Sequence, residues 1–209
     1  MLAGRFASRS RENLIVLALP RGGVVVGYEI ATALGVPLDV IVPRKIGAPG
    51  EPELAIGAVA SWGDHETYLD QSTVRYLGVS EDYIKREAQA QVEEIERRLL
   101  AYRGTTEPPN VNDKEVILVD DGIATGSTMI AAVRALKKLT PKRIIIAVPV
   151  ASPEAIHRLK AEVDELIALD APKPFMAVGY WYRDFQQTTD DEVRELLRSA
   201  RTAMSHHEL

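Results

Sequence analysis

The chain has 209 residues, 46% apolar and 26% charged, the composition of a soluble globular protein with enough material for a real core. A formal net charge of -5 leaves no basic surplus to neutralise phosphates, which argues against nucleic acid as a partner. Cysteine is absent, which excludes disulfides and thiolate metal sites and agrees with a reducing, cytoplasmic setting.

In chain order, the polar start "MLAGRFASRSREN" is unlike a secretory signal, and the run "LIVLAL" at 14–19 is far too short to span a bilayer, so no membrane partner is expected. That run reads as a buried strand. "VVVGYEIATALG" (24–35) reads as a helix closed by Gly35, and "PLDVIV" (37–42) as a second strand. The segment "PRKIGAPGEPELA" (43–55), with three prolines and two glycines, is expected to be a long loop. Short strands are expected at 56–60 and 67–69, around a turn at Gly63–Asp64. Ser80 is the expected N-cap of a long helix over 81–103, with acids in its first turn, arginines towards its end and Gly104 as its stop.

After the polar connector "TTEPPNVND" the pattern resumes as strand 116–119, helix 127–138, strand 143–148, helix 153–161 and strand 165–169. The tail carries an aromatic cluster, "YWYRDF" (180–185), and a last amphipathic helix from about Thr189. Strands that are apolar throughout and alternate with helices predict an α/β fold with a parallel-rich sheet flanked by helices.

The segment "VILVDDGIATGST" (116–128) carries the chemistry. In a parallel sheet, ligands bind beyond the carboxyl ends of the strands, where Asp120 and Asp121 stand. Adjacent carboxylates accept hydrogen bonds from vicinal hydroxyls and repel phosphate. The next residues, Ala124, Thr125, Gly126, Ser127 and Thr128, lead into a helix N-terminus, where backbone N–H groups and hydroxyls form an anion cradle. Together these features describe a ribose 5-phosphate, with its 2′- and 3′-hydroxyls on the aspartates. A receiver-type acidic pair holding Mg²⁺ and a solvated Asp-Asp-Gly turn are the competing readings.

A second anion loop follows the first strand. Arg21 supplies a fixed charge, and Gly22 and Gly23 let backbone amides approach a pyrophosphate. The spacing does not fit a dinucleotide fingerprint, since G-x-G-x-x-G is absent and no acid closes the second strand. The four histidines show no ligand spacing.

"VILVDDGIATGST" resembles the signature of the type I phosphoribosyltransferases, nearest to the adenine-type Asp-Asp-x-x-Ala-Thr-Gly, and the element order over 14–169 is similar to that family's. "PRGG" resembles the pyrophosphate loop of xanthine-guanine enzymes, which implies a cis peptide at Arg21–Gly22. The set "LPRGGVVVG", "RKIGAPG", "VDDGIATGST" and "VPVASPEA" most resembles a bacterial and archaeal group of "predicted phosphoribosyltransferases", although the short stretch before the first strand implies a shortened N-terminal helix.

The resemblance implies one domain over 1–209, with a core at about 14–169 and a small hood made from 170–209. It implies transfer of the phosphoribosyl group of phosphoribosyl pyrophosphate (PRPP) to a nitrogenous base, with Mg²⁺ as cofactor near Asp120 and Asp121. Segment 43–55 would be a closing flap carrying Arg44 and Lys45 to the leaving pyrophosphate, with Glu51 or Glu53 as proton acceptor. Trp181, Tyr182 and Phe185 would stack on the base or only close the core. Enzymes for 6-oxopurines usually carry an Asp where Ala124 stands, which implies adenine or a non-purine acceptor. A catalytically silent PRPP or nucleotide sensor with the same fold is the alternative. Homo-oligomerisation is compatible with all of these readings.

Overall fold

The computed structural model describes residues 2–62 and 64–205, leaving out the side chains of Glu53, Ser61, Trp62, Asp64, His65, Glu66 and Ser205. The chain divides into two compact units. The first comprises Met1–Ile41, Pro109–Gly126 and Leu139–Leu209, and the second Val42–Pro108 with Ser127–Lys138.

The first unit is built on a five-stranded parallel sheet of β1 (Leu14–Ala18), β2 (Leu38–Val40), β6 (Glu115–Val119), β7 (Arg143–Val150) and β8 (Glu165–Asp170), in the order β2-β1-β6-β7-β8. Every residue of β1 is buried, and Ile117, Leu118, Ile145 and Ile146 in β6 and β7 are fully so. Apolar residues on both faces of a strand are what a sheet covered on both sides requires. The strands expected for this sheet are all present, each within about two residues of its expected ends.

Strand order reverses direction at β1 and β6. The chain passes from β1 to β2 on one side and from β6 to β7 on the other, and the crevice at the carboxyl ends of such a pair is where open α/β sheets bind ligands. Those ends are Ala18, leading into Leu19-Pro20-Arg21, and Val119, leading into Asp120-Asp121. The Leu19 N–H donates to the Val119 carbonyl at 2.8 Å, so the two ends leave the sheet in register.

Helix α1 (Gly22–Leu34) follows β1 and ends at Gly35, whose φ of 66° is the left-handed closure expected of that residue. The helix begins two residues earlier than its apolar pattern suggests, because both loop glycines are helical. Helix α5 (Pro153–Leu159) opens with Ser152 as N-cap and Pro153 at its first position. The tail, with a 3₁₀ turn at Val178–Trp181 and α6 (Asp190–Ser205), folds with the first unit and packs α6 on α1. Before β1, a four-residue 3₁₀ turn at Ala3–Phe6 stands where a shortened N-terminal helix is expected.

The second unit contains an antiparallel sheet of β3 (Arg44–Ala48), β4 (Glu51–Trp62) and β5 (Asp64–Leu69), with α2 (Gln71–Leu77), α3 (Glu81–Arg103) and α4 (Ser127–Lys137). The expected loop at 43–55 is therefore corrected to a β-hairpin. Ala48 pairs with Glu51 across a two-residue turn, Pro49-Gly50, in which Gly50 has a φ of 78°. Pro43 precedes β3, and Pro52 lies where the register slips beside Gly47, so neither proline interrupts a regular ladder. Helix α3 matches its expected bounds and caps, with the Ser80 Oγ accepting from the Tyr83 N–H at 3.3 Å. The seven-residue α2, capped by Asp70 and closed by Gly78, is a helix the sequence reading omits. Among the described residues no helix is long and apolar enough to cross a membrane.

Candidate functional site

The two loops that leave β1 and β6 are locked together by the absence of side chains. A Cβ on Gly22 would lie 2.0 Å from Asp121 Oδ2, and one on Gly23 would lie 2.9 Å from the Asp120 Cα and the Val119 carbonyl. The glycine pair is thus needed for close approach to the acidic pair, whatever else it binds. Helix α1 begins at these glycines with no side-chain cap on its first turn, so the positive end of its dipole lies against Asp120 and Asp121.

The sequence resemblance implies a cis peptide at Arg21–Gly22; it falls one bond earlier, at Pro20–Arg21. Arg21 is part-exposed, and its Nη1 lies 3.7 Å from Asp190 Oδ1 at the start of α6. A half-exposed ion pair at that distance is weak and easily exchanged for a ligand phosphate.

Both aspartates are held above the usual carboxylate range. Burial is the main cause at Asp120, with the negative charge of Asp121 next, and burial again leads at Asp121. The Asp121 N–H donates to Asp120 Oδ1 at 2.8 Å.

The other side of the acidic turn is gripped by the tail. The Tyr182 hydroxyl donates to the Asp121 carbonyl at 2.6 Å, and burial followed by the nearby aspartates pushes its pKa upwards, so it stays a donor. Val178 fills the space at Gly122, where a Cβ would come within 2.6 Å of it. The Tyr182 and Phe185 rings lie 5.2 Å apart and tilted, a favourable aromatic contact.

A cleft of about 530 Å³ opens here, lined by Arg21, Gly22, Val25, Val26 and Asp121 on one side and by Tyr182 and Asp184–Thr188 on the other. It brings together Arg21, Gly22, Asp121, Tyr182 and Phe185 from the expected site. Trp181 does not line it and is 43% exposed. Asp184, Gln186, Gln187 and Thr188 are lining residues that sequence reasoning missed, because a polar stretch next to an aromatic cluster carries no periodic signal.

The loop after the acids turns at Gly126, whose φ of 82° only glycine adopts easily. A second, open cleft of about 980 Å³ is lined by Ala124 and Thr125 with Ser152, Glu154, Arg158 and Lys173–Met176. Ser127 and Thr128 open α4 and belong to the second unit, as do Arg44, Lys45 and Glu51. Arg44 donates from Nε to Gln91 at 3.0 Å, and burial and then the charge of Arg98 lower its pKa. The side chain of Glu53 lies outside the described residues.

Among the described residues no group of three or more His, Asp or Glu is arranged to hold a metal by itself. Two adjacent carboxylates fit Mg²⁺ differently, as a partial oxygen set for an ion that keeps waters and takes substrate oxygens.

The Phosphoribosyl transferase domain family matches residues 1–180. The crystal structure of TT1426 from Thermus thermophilus is similar, with 44% identity, coverage of 95% of this chain and 93% of that one, and a TM-score of 0.79. A Mycobacterium tuberculosis protein named "Putative phosphoribosyl transferase Rv0571c" is 38% identical over 199 residues. That match takes in 95% of this chain but only 44% of the relative, so the chain spans less than half of that protein's length. A uracil phosphoribosyltransferase of Lactobacillus gasseri is 38% identical over 78 residues, 36% of this chain and 37% of the enzyme.

The raised acidic pair gives a prediction about stability. Between the ordinary carboxylate pKa, about 4, and the raised native values, the folded chain binds more protons than the unfolded one. Stability therefore falls as pH rises through that window. Asp120→Asn removes the buried charge and should raise the melting temperature at pH 8, with the gain shrinking to nothing near about pH 4. Thermal melts of both proteins from pH 4 to 8 test this; a difference that does not change with pH would contradict the buried-charge assignment.

Proposed function

From the premise that this chain belongs to the phosphoribosyl transferase domain family, we propose that it transfers the 5-phosphoribosyl group of PRPP to a nitrogenous base and releases pyrophosphate. The observation that carries this reading is the cleft at the reversal of strand order, which Arg21 lines and where the start of α1 lies against the Asp120–Asp121 pair. Cation and amide donors on one wall suit a pyrophosphate. The poorly solvated carboxylates beside them suit hydroxyl donors, which return some of the stabilisation lost on burial.

In this reading Asp120 and Asp121 accept from the ribose 2′- and 3′-hydroxyls. Arg21 and the amides of Gly22 and Gly23 hold the pyrophosphate. The 5′-phosphate takes the amides of Ala124–Gly126 and the hydroxyls of Thr125, Ser127 and Thr128. Asp120 and Asp121 would hold Mg²⁺, which would supply positive charge for the leaving pyrophosphate. The C1–oxygen bond breaks with its electron pair leaving on pyrophosphate, a C1–nitrogen bond forms, and the acceptor's proton passes to a carboxylate. Arg44, Lys45, Glu51 and Glu53 enter as leaving-group and proton-acceptor residues on the strength of the sequence resemblance. Reading 1–209 as one catalytic domain belongs to the same proposal.

The residue at position 124 bears on the acceptor. Ala124 supplies no carboxylate, whereas a 6-oxopurine site of the resembling type uses one. Adenine or a non-purine base is the proposed acceptor, and the partial similarity to a uracil enzyme supports including pyrimidines among the latter. Tyr182 and Phe185, both at the cleft, are the proposed aromatic wall, whereas Trp181 is set apart from it.

Arg21→Ala should weaken PRPP and pyrophosphate binding by on the order of 1.5–3 kcal/mol while sparing a nucleoside 5′-monophosphate. Calorimetric titration distinguishes this from equal losses, which would assign Arg21 elsewhere. In the same series Lys45→Ala should lower turnover more than it lowers monophosphate affinity.

With purified protein, Mg²⁺ and PRPP, nucleotide formation should exceed that with hypoxanthine or guanine when adenine or uracil is supplied. Chromatography of the products measures it, and robust turnover of the 6-oxopurines would overturn the acceptor assignment.

A further inference from the structure

Ser152 is a buried polar residue, at 4% exposure. Its hydroxyl donates to the Ala124 carbonyl at 2.6 Å and accepts from the Ala155 N–H at 3.0 Å, capping α5. Its own N–H donates to the Ile123 carbonyl at 2.8 Å, while the Ile123 N–H donates to the Val150 carbonyl at 3.0 Å. Six residues on, Arg158 donates from Nη1 to the Thr125 carbonyl at 3.0 Å. Three consecutive carbonyls of the loop after the acidic pair are thus tied to the start of α5 and to Arg158, those of Ala124 and Thr125 by side chains. Leu159 and Ala155 close against the turn at Gly126, 3.4 and 3.6 Å from where a Cβ would be.

A short segment without secondary structure has no reason of its own to orient its peptides. Here the peptides that join Ala124 to Thr125 and Thr125 to Gly126 are planar and trans, so each N–H points opposite to the carbonyl before it. Fixing the Ala124 and Thr125 carbonyls towards α5 fixes the Thr125 and Gly126 N–H groups towards the opposite side. Those are the donors an anion would use, and preorganised donors need no reordering when the anion arrives.

We infer that Ser152 and Arg158 are positioning residues that aim the amides of Thr125 and Gly126 at the 5′-phosphate of the substrate. The inference rests on the proposed phosphate site and assigns it a support nearly thirty residues further along the chain. Neither residue touches the substrate. Ser152 acts through the Ala124 peptide and Arg158 through the Thr125 peptide.

The test compares ligands that carry a 5′-phosphate with one that does not. Parent protein, Ser152→Ala, Ser152→Gly and Arg158→Gln are titrated by calorimetry with ribose 5-phosphate and with inorganic pyrophosphate. Glycine keeps most of the N-cap's contribution to α5, whereas alanine loses it, so the two Ser152 variants separate helix capping from loop support. Both should lose affinity for ribose 5-phosphate by about 5- to 30-fold and keep pyrophosphate affinity within about twofold. Arg158→Gln, at an exposed position where misfolding is not a concern, should show the same selectivity with a smaller loss.

Losses that fall equally on both ligands, or that are large for alanine and absent for glycine, would make Ser152 a purely structural cap and overturn the inference. Unchanged ribose 5-phosphate binding in all three variants would overturn it too, with the proposed function intact. A parent protein that binds pyrophosphate but not ribose 5-phosphate would remove the phosphate site itself, and the inference with it.

Discussion

The structure of the candidate site depends on one contact without side chains, the seating of Gly22 and Gly23 against Asp120 and Asp121. No residue with a Cβ fits at position 22 without displacing the Asp121 carboxylate. That contact exists because β1 and β6 are parallel neighbours in register from Leu14↔Glu115 to Ala18↔Val119, so both chains leave the sheet at the same level. The helix that starts there brings its uncapped end to a pair of part-buried carboxylates. Each element offsets a cost of the other: the helix dipole eases burial of negative charge, and the charge stabilises an uncapped first turn. The remaining excess of buried negative charge is what a ligand bearing hydroxyls, together with a cation, would relieve.

Two further segments hold this arrangement from outside. The tail grips the acidic turn through Val178 on Gly122 and through the Tyr182 hydroxyl on the Asp121 carbonyl. Helix α5 grips the next stretch through Ser152 and Arg158. The polypeptide from Asp120 to Gly126 therefore has its bare backbone fixed at successive points, which is what an anion site made from amides needs. A loop free to reorient would spend binding energy on its own ordering.

Most of the fold was legible because its strands are buried on both faces and its helices carry ordinary punctuation. Ser80 and Gly104 bound α3, and Gly35 closes α1, for reasons that are local to the chain. The acidic pair and the glycine loop were legible as separate motifs. What sequence could not disclose was their mutual contact, since a distance between residues 22 and 121 has no local signature. Segment 43–55 was misread because three prolines and two glycines look like a loop, whereas Pro49-Gly50 forms a tight hairpin turn and the other prolines sit where no ladder bond is needed. The Ser152-Pro153 pair was readable as a helix start, but its hydroxyl's second bond, to Ala124, spans 28 residues. The tail's aromatic residues split for a similar reason: Tyr182 and Phe185 turn to the cleft and Trp181 does not, within a single 3₁₀ turn and its exit.

The most direct test is a calorimetric titration of Mg²⁺-PRPP into the parent chain and into the double variant Asp120→Asn, Asp121→Asn, with circular dichroism to verify that the variant is folded. One saturable site in the parent and its loss or strong weakening in the folded variant is the expected result. Equal binding by the two proteins would contradict the assignment of the acidic pair to the ribose of PRPP.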